Sequence, residues 1–423
     1  MNKFLQIFKA KDLRNKVLIV IAILAAYRLL AAIPIPGVDA SKLQNYFNSN
    51  QLLGFLNFFS GGGLVNLSVV MLGVGPYITA TIIMQLLTIV FPKFKQMYYE
   101  EGARGQARFN QYSRYITVPL AMVQAYGFLS LLISQNVIDR PDFFSMLRNV
   151  MVITAGSMLA LWFGELISEE KVGNGISLII FAGIVSGLPN TLGQVLASYT
   201  PSLITTYAGF IIIAVLLVAG IVYLNEGERK IPVAYARRVR GMKMYGGSQS
   251  YLPLKVNQAG MIPLIFAISV LLFPQFLAQI SSIFSPTLAV KMNAVITGFL
   301  NNQLFYGIFY FFLVFIFTYF YTAITFNPGE VSKNLQKSGG FVPGIRPGEA
   351  TAEFFGGVVK RTTLFGAVFL GLIAILPLIV QALTKVQVLN ISGTALLIVV
   401  AVALETMRQI DSQLTVREYE GIE

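Results

Sequence analysis

Apolar stretches of similar length recur along the chain, at about 17–33, 69–91, 115–134, 149–167, 176–194, 207–224, 259–280, 303–326, 363–383 and 392–409, with polar connections between them. About twenty helical residues cross the roughly 30 Å of hydrocarbon in a bilayer, so the pattern predicts ten membrane-spanning helices. Ten spans divide into two sets of five, residues 1–194 and 195–423. An odd number per half forces the halves into opposite orientation, a geometry that places a pathway between them. No direct sequence repeat accompanies the count.

The pattern is interrupted in two informative places. After the first span, Gly61, Gly62 and Gly63 break the chain before a short apolar piece, Leu64 to Leu72, which is too short to cross. A second break at Gly73, Gly75 and Pro76 precedes a helix from about Tyr77 to Val90. A half-helix with irregular flanks must lie at an interface or in a protein-lined cavity, because lipid leaves its backbone unsatisfied. It reads either as an interfacial helix or as a removable stopper. The other interruption is KSGGFVPGIRPGE at 337–349. Pro343 and Pro347 fix φ, Gly339, Gly340, Gly344 and Gly348 supply turns, and Arg346 is presented outward. Such a loop is either punctuation or a surface built to be touched.

Charge orients the spans. The N-terminal segment, the even-numbered connections and the tail hold most of the 31 Lys and Arg, among them Lys3, Lys93, Arg229, Lys333 and Arg417. Opposite them stand only Lys42, Arg140, Arg148, Lys291 and Lys385, while Arg28 lies within the first span. Cytoplasmic retention of cations therefore predicts that both termini are cytoplasmic and that the net charge of +12 sits largely on that face. Attraction to anionic lipid accounts for the sign. It does not account for the two connections 225–258 and 327–362, each over thirty residues, which favour docking of a soluble partner. The basic N-terminus runs into Val17–Ile33 without a small-residue cleavage pattern, so a retained first span is expected.

Composition narrows the chemistry. With 55% hydrophobic and 12% charged residues the chain is a polytopic membrane protein, and its single Trp leaves the interfaces to Tyr, Lys and Arg. Cys and His are absent, which removes thiolate and imidazole metal sites, Cys nucleophiles and His general bases. No GxxxxGK[ST] loop and no GxSxG motif occurs, so neither an enzyme nor a cofactor is expected. A secondary transporter remains the rival class. It usually needs carboxylates or broken helices at mid-membrane, whereas Glu165 and Glu405 fall near cytoplasmic helix ends. Arg28 could snorkel or pair with helix-end carbonyls. Ile78 and Ile82, Ile176 and Ile180, Ile265 and Ile398 recur in four spans, and on spacing alone they are packing residues.

Several motifs follow one another in order: AAIPIPG at 31–37, FFSGGG at 58–63, PYITATIIMQLL at 76–87, EGARGQARFNQYSRY at 101–115, GNGISLIIFAGIVSGLP at 173–189, ERKIPVAYARR at 228–238, LPLKVNQAGMIPLIFA at 252–267, NPGE at 327–330, KSGGFVPGIRPGE at 337–349 and GTALLIVV at 393–400. In these the chain resembles the SecY family, pore subunits of the bacterial protein-translocation channel, over nearly its whole length. The resemblance implies an all-α polytopic membrane protein of ten transmembrane helices in two inverted five-helix halves around a central hourglass pore. Its waist would be a ring of Ile78, Ile82, Ile176, Ile180, Ile265 and Ile398, narrow and apolar enough to dewet. The stopper would be the plug, Gly61, Gly62, Gly63, Leu64, Val65, Asn66, Leu67, Ser68, Val69, Val70 and Met71. A hinge would lie near the uncharged connection from Pro189 to Thr206. Gln85, Gln124 and Ser269, with Thr79 and Thr81, fall at the lateral gate, where they would latch by hydrogen bonds or serve as ordinary helix contacts. Implied partners are SecE, SecG, the SecA ATPase, the ribosome, signal-bearing preproteins and membrane lipid. Arg346 would contact SecA, and Arg237, Arg238 and Arg240 would contribute to the other docking ledge. Lys333 departs from the family pattern, standing where relatives often carry an acidic residue.

Overall fold

The computed structural model describes residues 11–35, 62–64, 66–134, 138, 141–197, 204–235, 238–240, 243–245, 249–284, 291–292, 294–296, 298–299, 302–384 and 393–420. It is mostly helical. In chain order the elements are α1 (Lys11–Ala32), α2 (Gly75–Val90), α3 (Pro92–Tyr99), α4 (Gly102–Ser134), α5 (Phe143–Glu169), α6 (Gly175–Ala197), α7 (Ile204–Glu226), β1 (Glu228–Tyr235), β2 (Arg238–Arg240), β3 (Lys243–Tyr245), β4 (Gln249–Lys255), α8 (Ile262–Phe284), α9 (Gln303–Thr325), α10 (Pro328–Lys337), β5 (Gly340–Phe341), α11 (Glu349–Thr384) and α12 (Gly393–Glu420). Among the described residues, four helical stretches are long and apolar enough to cross a membrane: Lys11–Ala32, Phe143–Glu169, Leu304–Lys337 and Glu349–Leu376.

Several helices outrun their apolar stretch. Helix α4 begins at Gly102 and α11 at Glu349, so each carries a polar segment of helix in line with its apolar part. Helix α2 does the reverse, starting at Gly75 with Pro at its first turn, where the missing N–H costs nothing. Helix α6 runs through Pro189 to Ala197, which removes the first half of the expected hinge loop; residues 198–203 lie outside the described residues. Outward faces are apolar, with Leu29, Ile211, Leu216, Phe312 and Ile316 all exposed. Lipid is the environment that accepts such faces.

The chain forms two compact units. The first comprises Met1–Tyr199, Leu272–Gly298 and Val402–Glu423. Its interior joins α4 and α5 to the stopper segment through Ala125, Phe128, Leu129, Leu132, Val150 and Ile153. Helices α5 and α6 cross closely: a Cβ at Gly175 would lie 1.8 Å from the Gly164 carbonyl oxygen, so only glycine fits there.

The second unit comprises Thr200–Leu271 and Phe299–Ala401. Its membrane part packs α9 on α11, with Gly371 of α11 admitting the Phe311 ring. Its other part departs from the all-α expectation. Strand β1 pairs antiparallel with β4, from Glu228 opposite Lys255 to Ala234 opposite Gln249, and on its other edge with β5. The alternation in ERKIPVAY explains the strand, since Ile231 and Val233 are buried while Lys230 and Pro232 are exposed. The order β4-β1-β5 draws both long polar connections into one sheet.

Candidate functional site: a buried stopper and a basic ledge

The described residues of 62–74 do not form a half-helix. They form a succession of tight turns, because Gly62, Leu67 and Gly73 adopt positive φ values of 82°, 40° and 51° that no right-handed helix admits. Amides of Leu67, Met71, Gly73 and Gly75 donate to the carbonyls of Leu64, Ser68, Val70 and Leu72, at 2.8–3.1 Å. The amide and hydroxyl of Ser68 both donate to the Gly63 carbonyl at 3.0 Å. Beyond itself the segment makes a short antiparallel bridge, Pro34 opposite Ser68, in which Ile35 N donates to Leu67 O and Val69 N to Ile33 O. Leu64, Leu67, Ser68, Val70 and Met71 are buried. Gly61 and Val65 lie outside the described residues.

The six isoleucines divide between the units. Ile78 and Ile82 on α2 and Ile180 on α6 are buried in the first unit, and Ile176 is half-buried against Gly164. Ile265 on α8 and Ile398 on α12 are buried in the second. Among the polar residues of the expected gate, the hydroxyls of Thr79, Thr81 and Ser269 donate to carbonyls of their own helices, at Gly75, Ile78 and Ile265. Gln124 is buried, and the Gln85 Oε1 atom is buried with no partner among the described residues.

Arg28 does not snorkel. Its Nη2 donates to the Ala182 and Gly183 carbonyls inside α6, at 3.0 and 3.2 Å. Glu165 pairs with Arg114 at 2.6 Å, a tie between α5 and α4 that no motif announced. The signal available in the sequence was two lone charges placed near the same ends of neighbouring apolar stretches.

The ledge belongs to the second unit. Ile231, Leu254, Val342, Phe355 and Val359 form its core, with Leu252, Val331, Leu335 and Ile345 packed around them. Asn257 Nδ2 donates to Asn225 Oδ1 at 3.0 Å and so closes the base of the first connection, a pairing legible only once the strands are known. In the second connection Asn327 caps α10, its side chain accepting from Gly329 N. The stretch after α10 is held by hydroxyls: Ser332 Oγ donates to Gly348 O at 2.6 Å and Thr351 Oγ1 to Arg346 O at 2.7 Å. Gly339, Gly344 and Gly348 have positive φ as expected, whereas Gly340 lies in strand β5. Arg346 is exposed, its carbonyl held by Thr351, and Arg229, Lys230, Lys333, Lys337, Lys360 and Arg361 are exposed as well. Arg238 and Arg240 fall on β2, which pairs with β3, and Arg237 lies outside the described residues.

A family profile, SecY, matches residues 68–407. Protein translocase subunit SecY of Mycobacterium tuberculosis is 40% identical over 442 residues, covering 100% of this chain and 99% of the relative. That of Corynebacterium glutamicum is 41% identical over 445 residues, covering 100% of both. Among solved structures the fold is similar to a protein conducting channel (TM-score 0.64), to a SecY protein whose plug domain stabilizes the closed state of the translocation channel and maintains a membrane seal (0.63), and to Sec61 in the canine ribosome-channel complex from the endoplasmic reticulum (0.62). Each is 19% identical and covers 93% of this chain and 91% of the other.

Proposed function

The chain belongs to the SecY family of protein translocase subunits, multi-pass proteins of the membrane, and from that premise we propose that it is the pore of a protein-conducting channel that passes unfolded, signal-bearing polypeptides. The observation that carries this reading is the stopper. A turn-built segment buried against α4 and α5 leads directly into α2, whose next residues include Ile78 and Ile82. This supports the reading of a plug beside a constriction. Ile78, Ile82, Ile176, Ile180, Ile265 and Ile398 form the constriction, an apolar waist that dewets against ions and offers a passing chain no polar partner to stick to.

Ten spans in two inverted halves, 1–194 and 195–423, surround this pathway. An apolar signal segment leaves sideways between the second and third spans and the seventh and eighth, gaining about 0.8 kcal/mol per methylene buried in lipid. Gln85 and Gln124 latch that gate when it is closed. The chain itself makes or breaks no bond. Force comes from the SecA ATPase or the ribosome, docked on the basic ledge with Arg346 at its contact, and SecE and SecG are the membrane partners. Both termini face the cytoplasm across the cytoplasmic membrane.

Reconstitution with SecE and SecA in liposomes tests the reading. ATP-dependent uptake of a signal-bearing preprotein is expected. Coupled uptake of a small solute without SecA would replace the channel with a secondary transporter.

A further inference from the structure

Two contacts of the stopper are not explained by its apolar burial, and both involve a glycine. On α5, a Cβ at Gly156 would lie 2.0 Å from the Val69 carbonyl oxygen and 2.7 Å from its carbon. The stopper backbone therefore rests in a notch that exists only because residue 156 has no side chain. At the other end of the segment, a Cβ at Gly62 would meet Arg28 Nη1 at 2.9 Å, so the guanidinium lies against the Gly62 backbone. The same guanidinium donates through Nη2 to Ala182 and Gly183 of α6. These carbonyls are two and three residues beyond Ile180.

We infer that Gly156 and Arg28 are the positioning residues of the closed stopper, Gly156 setting its depth and Arg28 tying it to the helix that carries Ile176 and Ile180. This role rests on the channel reading for its function and on the packing of the segment against α1, α5 and α6 for its geometry. The bridge to Pro34 sets the segment's register on the end of α1, but apolar burial of Leu64, Leu67 and Met71 sets none against α5, because the hydrophobic effect is non-directional. The notch removes that freedom, since the Val69 carbonyl enters only opposite a glycine. Arg28 adds a direction: its planar fork spans a backbone on one side and two carbonyls on the other, which a lysine ammonium does not reproduce. A displacement of α6 that widens the constriction pulls on Arg28 and uncovers Gly62. Opening of the waist and release of the stopper are thereby linked through one side chain.

The chain has no cysteine, so an engineered disulfide reports seating against a clean background. Pro34 and Ser68 face each other across the antiparallel bridge, where Cα atoms stand about 4.5–5.5 Å apart, within the roughly 4.4–6.8 Å of a disulfide. In the full chain in its native membrane, Pro34→Cys with Ser68→Cys is expected to cross-link readily. Adding Gly156→Ala should reduce the yield about fivefold or more and let ions through the resting channel. Arg28→Gln should do the same, with Arg28→Lys restoring only part of the yield. Cross-linking as fast as the parent in both Gly156→Ala and Arg28→Gln overturns the inference. If Gly156→Ala does not accumulate as a folded protein, Arg28→Gln against Arg28→Lys decides alone. A fall in cross-linking with no ion leak upholds the seat and instead overturns the reading of the segment as a seal.

Discussion

The stopper at 62–74 and the ledge stretch at 338–349 are both glycine-broken segments that lead into a helix, yet they are held in opposite ways. Among the described residues most of the stopper's hydrogen bonds run within Gly63 to Gly75, and those that reach outward include backbone bonds to Ile33 and Ile35 and a long one from Asn66 to Ala31 O at 3.4 Å. The ledge stretch is tied outward. Its strand joins β1, its Val342 and Ile345 enter a core shared with α11, and hydroxyls from α10 and α11 fix the carbonyls of Gly348 and Arg346. A segment satisfied internally moves as a body at the loss of few bonds. One satisfied by its neighbours stays where it is and presents what it carries. On the proposed channel reading, the first suits a seal that must leave, and the second a contact that must take load.

The comparison breaks most severely if the ledge core is emptied. Phe355 is fully buried beneath the sheet, and Phe355→Ala should cost about 3–5 kcal/mol of local stability. Hydrogen exchange in β1 and β5 should rise steeply while exchange in 62–74 is unchanged. Next in size is Arg346→Glu. At the SecA contact proposed for Arg346, where a central arginine is worth about 2–4 kcal/mol, the substitution should lower SecA-driven uptake roughly 30- to 1,000-fold with the thermal unfolding of the purified chain unaltered. Loss of folding instead would make Arg346 a structural residue and not a docking contact.

Ile398→Asn sharpens the contrast at a smaller scale. Ile398 belongs to the same unit as the ledge, but the channel reading groups it with the stopper. Burying the amide should cost about 1–3 kcal/mol and wet the waist. Ion leak should rise and the demand for a good signal sequence relax, with motor affinity unmoved. Unchanged leak and selectivity would take Ile398 out of the ring.

How much of this was legible follows from what each residue depends on. Apolar length located the long helices, because lipid rewards composition without regard to order. The strand β1 is written as alternation in ERKIPVAY, yet eight alternating residues do not announce a sheet whose other strands, β4 and β5, lie some twenty and a hundred residues on. The stopper's position was legible from Gly61–Gly63 and Gly73, and its conformation was not. Leu64 to Leu72 has the composition of a helix, and Leu67 is held at positive φ by the bridge to Pro34 against its own preference. Arg28 stands out in the sequence as a lone span charge, but that its carbonyls lie inside α6 could come only from packing. The Gly156 notch left no trace at all, since a glycine in an apolar helix looks the same whether or not a carbonyl rests on it.

The smallest expected effects test whether the two segments are independent. Ser332 and Ser68 are both buried serines that donate to a backbone carbonyl, and in both cases the acceptor keeps a second donor when the hydroxyl is removed: Ala352 N for Gly348 O, Ser68 N for Gly63 O. Neither carbonyl is orphaned, so Ser332→Ala and Ser68→Ala should each cost only about 1 kcal/mol, near a fivefold change in local opening. Ser332→Ala should speed amide exchange around 344–352 and weaken SecA binding up to about fivefold without any change in resting ion leak. Ser68→Ala should do the reverse, loosening the stopper while SecA binds as before. Equal effects of both substitutions on motor binding would mean that force on the ledge is felt at the stopper even in the resting state, and the distinction between a movable seal and a fixed contact would have to give way to a single coupled element.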